Sequence, residues 1–213
     1  MEKEVENMEI TYWEEIKRKL VHLSSLWMVA ASLLIPRLWV CLLFLLLLTI
    51  TLISEYDYAR GGRYLGKLYG KLFGRMLRNE VKPGQWIVSG GAPVLAAALL
   101  ANLLFPPFIA AGALSVMLTG DAAAALVGRR FGKHKTVNGK SWEGFASFII
   151  VGYIALATVM ALVGVPAPFF VWGFAGVVLA AVAELFQKQL KVDDNFSIPL
   201  CVGVVLYLVL RLH

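Results

Sequence analysis

Long apolar runs constrain this chain more than any other feature of its sequence. Seven segments, at about residues 21–36, 38–54, 86–105, 107–128, 144–164, 168–187 and 196–212, are apolar enough to qualify as membrane spans, some only marginally. Crossing roughly 30 Å of hydrocarbon takes about 20 apolar residues, and a backbone in lipid must satisfy its own hydrogen bonds, which selects helices. The expected fold is therefore all-α: a polytopic membrane protein with about seven transmembrane helices, organised as a single integral membrane domain over residues 1–213. Only 16% of the residues are charged, against about 25% in an average soluble domain, and the polar stretches between the runs leave no room for a soluble domain. The first run follows Lys17-Arg18-Lys19 but is not followed by a small-residue cleavage site, so it is expected to be retained rather than removed as a signal peptide. Cys41 and Cys201 both fall inside apolar runs, where small packing residues are expected rather than a disulfide or a zinc site.

The distribution of cations orients the threading. With the N-terminus in the cytoplasm, every one of the 20 Lys and Arg residues except Arg37 and Arg211 falls on the cytoplasmic side. This is the positive-inside bias, and it places the C-terminus outside. The outer turns, at Ile35-Pro36-Arg37, Phe105-Pro106-Pro107 and residues 163–168, are short and nearly uncharged. Chemistry on polar molecules is therefore expected on the cytoplasmic face. The formal charge of +6 follows from orientation, with anionic lipid headgroups as the nearer partner and no nucleic acid implied.

Two cytoplasmic segments read as surface helices. Residues 2–20, which include the cytoplasmic N-terminal segment 1–19, look like an amphipathic helix entering the first span. Residues 62–78 carry a four-residue repeat with basic positions at 63, 67, 71 and 75, apolar pairs after them, and glycines at 62, 66, 70 and 74. On a helix this separates an apolar from a basic face. Such a helix rests on the membrane surface, or its basic face assists an anionic substrate. Within the spans, Gly120, Ala124 and Gly128 recur every four residues, as do Gly176 and Ala180, followed by Glu184. Small-residue stripes let helices approach closely, so Glu184 is expected to face a protein neighbour.

Chemistry-capable residues concentrate around Asp121, a carboxylate in the last third of an apolar helix, which is a functional candidate by default. It is followed by Gly128, Gly132, Lys133, His134, Lys135, Lys140, Ser141, Glu143 and Gly144 in the cytoplasmic loop 129–143 and just beyond. Glycines admit backbone amides to a ligand, cations neutralise phosphate oxygens, and a carboxylate offers the hard oxygen that Mg²⁺ prefers. This is what a Mg²⁺–nucleotide site requires, although an ordinary positive-inside loop has the same charge. The Walker pattern Gly-x-x-x-x-Gly-Lys-Ser/Thr is not present. Arg18-Lys19-x-x-His22 stands at the entrance of the first span, with residues 18 and 22 on one helix face. Asp193-Asp194-Asn195, ahead of Pro199, suits either a second metal contact or a helix cap, and the two roles are compatible.

Gly120-Asp121-x-x-Ala124-x-x-x-Gly128-x-x-x-Gly132-Lys133, followed by Lys140-Ser141-x-Glu143-Gly144, resembles the signature of the CTP-dependent polyprenol kinases, the dolichol and phytol kinases. Arg18-Lys19-x-x-His22, Glu184 and Asp193-Asp194-Asn195-x-x-x-Pro199 extend that resemblance in the family's order. It implies transfer of the CTP γ-phosphate to the hydroxyl of a long isoprenoid alcohol dissolved in the bilayer. It further implies that Asp121 binds Mg²⁺, with Asp193 and Asp194 as further ligands or base, and that Lys133, Lys135 and Lys140 hold the triphosphate. Ser141, Glu143 and the glycines at 120, 128, 132 and 144 would shape the nucleotide pocket, and Lys19 and His22 would orient phosphate or hydroxyl. His22, Asp121 and Glu143 all remain as possible bases.

The chain is short beside dolichol kinases and resembles their catalytic part. A related block occurs in phosphatidate cytidylyltransferases, but their Asp-Arg-x-Asp element is replaced here by Asp193-Asp194-Asn195. A CDP-lipid synthase is thus the alternative enzyme. A transporter is the alternative outside enzymes, disfavoured because acidic groups gather near one face and no inverted repeat is evident. Oligomeric state stays open.

Overall fold

The computed structural model describes residues 12–62, 65–73, 90–136 and 138–212. Among these the chain is helical: α1 (Tyr12–Ser24), α2 (Trp27–Leu34), α3 (Arg37–Ala59), α4 (Leu65–Phe73), α5 (Gly91–Leu104), α6 (Pro107–Phe131), α7 (Trp142–Val163), α8 (Pro168–Leu185), α9 (Gln187–Leu190) and α10 (Asp194–Leu212). There is no strand among the described residues, only an isolated bridge between Lys135 and Ser141. Five of the helices, α3, α6, α7, α8 and α10, are long and apolar enough to cross a membrane. The expected count of seven is met only to that extent.

The two remaining segments differ from expectation in instructive ways. The first expected span, 21–36, is interrupted. Ser24 Oγ turns back to the Val21 carbonyl at 2.6 Å, and Ser25 and Leu26 donate to His22 and Leu23 in tight three-residue turns. Such back-bonding bends a helix, leaving α2 only 8 residues long. The upstream part of the run belongs to α1, which holds the described end of the helix expected over 2–20. The 14-residue α5 is apolar but shorter than the others, and residues 86–89 of its expected span lie outside those described. Of the repeat at 62–78, Leu65–Phe73 is helical, while 63, 64 and 74–78 also lie outside.

Packing centres on α6, of whose apolar window 67% is buried inside the protein, against 22% for α3 and 28% for α7. Its small residues let neighbours in. A side chain on Gly144 would sit 2.9 Å from the Ala124 carbonyl and 3.2 Å from Gly128 Cα, so α6 and α7 touch backbone to backbone at the ends joined by the basic loop. Further along the same pair, Gly120 meets the ring of Phe148 and Gly152 faces Val116. On the other stripe, Gly176 packs on Val202 and Val205 of α10. The outward face of α3 presents Leu38, Trp39, Leu42, Leu46 and Ile50, as lipid contact requires.

Helix ends follow local rules. Pro107 and Pro168 start α6 and α8 at the first helical position, where the missing N–H costs nothing. Gly164, at φ 72°, closes α7 with bonds back to Met160 and Ala161. Arg37, one of the two cations outside the basic face, donates from Nε to the Asn102 carbonyl at 2.8 Å and from its other nitrogen to Leu103, finishing the C-terminus of α5. By contrast, α1 is inverted relative to a soluble helix. It buries Glu15 and Lys19 and leaves Trp13 71% and Leu20 60% exposed. Its charged face is turned to the protein and its apolar face outward.

Candidate active site

Antiparallel threading brings the ends of α6 and α8 and the beginnings of α7 and α10 to one end of the bundle, where α1 lies against α6. Asp121, on α6, anchors the arrangement. Its Oδ2 accepts a hydrogen bond from Lys19 Nζ at 2.6 Å and stands 3.4 Å from His22 Nε2. The Lys19, His22 and Asp121 side chains are 6%, 12% and 13% exposed. Lys19 and His22 thus reach the same carboxylate oxygen from one face of α1.

Two further carboxylates join Asp121. Glu184, near the end of α8, and Asp194, the first residue of α10, offer oxygens that lie with that of Asp121 within 4.8 Å of one another. Three carboxylates this close repel unless cations intervene. Lys19 supplies one positive charge, and Lys140 supplies another through Nζ, 2.5 Å from Glu184 Oε1 and 2.6 Å from the Glu184 carbonyl. Hard oxygens converging from three helices are a donor set that suits a divalent cation such as Mg²⁺.

The Asp193–Asp194 pair divides its two candidate roles. Asp193 is exposed. Its Oδ1 accepts from the backbone and side-chain nitrogens of Asn195 at 2.9 and 2.7 Å, and its carbonyl accepts from Phe196 and Ser197. It therefore caps α10. Asp194 faces the cluster, whose third carboxylate is that of Glu184, while the Asp193 side chain is engaged with Asn195. Sequence reasoning assigned Glu184 no ligand role. Its signal was the Gly176, Ala180 and Glu184 stripe, which turns the carboxylate inward to 7% exposure.

The loop between α6 and α7 folds back on itself. Thr136 N–H donates to the Lys140 carbonyl at 2.7 Å and Trp142 N–H to that of His134 at 2.9 Å, around Gly139 at φ 79°. Ser141 caps α7, its Oγ accepting from Gly144 N–H at 3.1 Å and packing against Gly128 and Gly132. Glu143 pairs with His134 Nδ1 at 2.7 Å and accepts from its backbone N–H, so it closes the loop and is not one of the three converging carboxylates. Lys133 and Lys135 stand exposed on the loop, while Lys140 turns inward. Asn138 Nδ2 donates to the Leu185 carbonyl at 3.2 Å, and Gln189 donates to Asn138. Together Lys140 and Asn138 fasten the loop onto the open carbonyls at the end of α8.

Arg18 points elsewhere, to Glu15 Oε1 at 2.6 Å. Burial disfavours its charge, but the hydrogen bond and charge of Glu15 outweigh that and hold its pKa above the ordinary arginine value. Gly120 is buried beneath the site against Phe148.

Comparison with known proteins gives a partial likeness. An uncharacterized protein of Rickettsia prowazekii, RP860, is 27% identical over 195 residues, covering 91% of this chain and 94% of that protein. Phytol kinase of Synechocystis is 36% identical over 109 residues, covering 46% of this chain and 43% of that enzyme. A probable chloroplastic phytol kinase of Triticum aestivum is 33% identical over 111 residues, covering 45% and 35%. No family model matches, and no solved structure matches. The chain thus spans less than half the length of these phytol kinases, and just under half of the chain is similar to them in sequence.

Proposed function

We propose that this protein is a membrane-embedded kinase that transfers the γ-phosphate of CTP to the hydroxyl of a long-chain isoprenoid alcohol at the cytoplasmic face. The observation that carries the reading is the convergence of Asp121, Glu184 and Asp194 beside Lys19 and Lys140 at one end of an apolar bundle. The partial similarity to phytol kinases supports both the reaction class and the kind of acceptor. The charge bias supports an N-terminus inside, with α5 and the run from the end of α1 through α2 as the shorter membrane segments beside the five long helices. In that orientation the carboxylates would stand where CTP arrives and where an alcohol dissolved in the bilayer presents its hydroxyl.

Asp121, Glu184 and Asp194 would hold a Mg²⁺ ion, which when bound supplies charge neutralisation to the triphosphate. Lys133 and Lys135, exposed on the loop, meet the incoming anion, and Lys140, paired with Glu184, adds positive charge beside it. Ser141 and the glycines at 128, 132 and 144 set the shape of the loop against α6. Lys19 steadies the transferring phosphoryl group, and His22 accepts the proton of the alcohol as its oxygen bonds to the γ-phosphorus and the bond to the β-phosphate oxygen breaks, releasing CDP. Phosphoryl transfer asks for positioning and charge compensation more than for a strong base, which these residues provide.

The test is product analysis with purified protein in detergent, Mg²⁺, CTP labelled separately at the α- and γ-phosphates, geranylgeraniol and longer polyprenols, with and without phosphatidic acid. The account expects γ-label in a lipid phosphate and release of CDP. Label from the α-phosphate in lipid, with pyrophosphate released, overturns it in favour of CDP-lipid synthesis. Absence of any transfer overturns the enzymatic reading.

A further inference from the structure

We propose that Glu15 is a positioning residue, pairing with Arg18 and Arg129 to fix the register of α1 on α6 and so hold Lys19 and His22 against Asp121. Glu15 is 1% exposed on a short helix that leaves Trp13 71% exposed. A carboxylate is not buried in that way without partners, because desolvation penalises the charge. Its Oε1 receives Arg18 at 2.6 Å and its Oε2 lies 3.7 Å from Arg129.

The contacts between the two helices run in strict opposite order. Tyr12 lies under the guanidinium of Arg130 at 5.8 Å, Glu15 faces Arg129, and Lys19 and His22 face Asp121. Residues 15, 19 and 22 share one face of α1. Acid on α1 meets base on α6 at one end, and base on α1 meets acid on α6 at the other. A slip of one turn, about 5.4 Å, separates both pairs. In one direction that slip sets Glu15 where Lys19 stands, beside Asp121, carboxylate against carboxylate. Ser24 to Leu26 bend the chain between α1 and α2, so contacts made by α1 itself are needed to fix its angle and fine register on α6. The apolar outer face does not set it, since lipid makes no distinction among positions along the helix.

The catalytic consequence rests on the proposed kinase reading, whereas the register itself is testable without activity. In full-length protein with Cys41→Ala and Cys201→Ala, Lys19→Cys and Asp121→Cys are introduced together and joined with a short bismaleimide. The expected result is efficient cross-linking with Glu15 present, a loss of at least about 5-fold in Glu15→Arg, and recovery in the charge-swapped Glu15→Arg/Arg18→Glu/Arg129→Glu protein. In a separate series with native Lys19 and Asp121, Glu15→Arg should lower kcat by about 10- to 100-fold, as misplacement by about 1 Å does. The KM for CTP should move far less, and the swap should restore kcat. Unchanged cross-linking in Glu15→Arg, or a swap that restores neither reading, overturns the proposal. Should Glu15→Arg fail to fold, Glu15→Gln removes the charge at constant shape and is judged by the same loss of cross-linking.

Discussion

The two ends of the bundle use polar residues differently. At the end away from the carboxylates Arg37 spends its guanidinium on the Asn102 and Leu103 carbonyls, Gly164 closes α7, and prolines open α6 and α8. Each of these groups completes the helix end it touches. At the other end Asp121, Glu184 and Asp194 converge with Lys19, His22 and Lys140, and most of these contacts terminate no helix. Helix termination explains the first end. It does not explain why three carboxylates should be held within 4.8 Å, which costs repulsion that a purely structural protein would avoid by substituting an amide. The difference is why the proposed site is put at the charged end.

The largest expected effect is from Asp121→Asn, which removes the oxygen charge shared by Lys19 and His22. Phosphoryl transfer should fall by about 1,000-fold, the scale of losing a preorganised electrostatic group, measured as initial rate at saturating CTP. A loss below about 10-fold would erase the contrast between the two ends. Next, Glu184→Gln should raise the Mg²⁺ concentration needed for half-maximal rate by about 10- to 100-fold, the range typical of weakened metal support. The readout is a Mg²⁺ titration at fixed CTP.

A paired comparison sharpens the contrast within two adjacent residues. Asp194→Asn should behave like Glu184→Gln in that titration, while Asp193→Ala should leave it within a few-fold. The Asp193 variant should instead lose about 1 kcal/mol of stability, as cap removal does, seen as a lower thermal midpoint in detergent. The smallest effect is expected from Arg37→Ala at the opposite end. Losing its bonds to α5 should cost about 1 kcal/mol, with kcat and KM unchanged.

Much of this arrangement is visible in the sequence. The apolar runs anticipate α3, α6, α7, α8 and α10, because length and hydropathy are local properties. Asp121 stands out because a carboxylate in an apolar helix is conspicuous wherever it points. What escapes is what depends on tertiary phase. Asp193 and Asp194 are neighbours, yet a helix start turns one to solvent as a cap and the other toward Asp121. Glu184 reads as a packing residue until α8 is set beside α6 and α10. Glu143 sits within the densest motif but is spent on His134. The break at Ser24 and Ser25 is hidden because two serines inside an apolar run suit a continuous helix as well as a bent one. Its result, α1 with its charges inward, could not be derived from periodicity alone, since amphipathicity does not say which face meets lipid.

The central claim is that Asp121, Glu184 and Asp194 form one divalent-cation site. Electron paramagnetic resonance of Mn²⁺ added to purified protein tests it most directly, without substrate or turnover. The account predicts one class of bound Mn²⁺ that is weakened in Asp121→Asn, Glu184→Gln and Asp194→Asn and retained in Asp193→Asn. Binding that survives Glu184→Gln unchanged, or that is lost in Asp193→Asn, would contradict it.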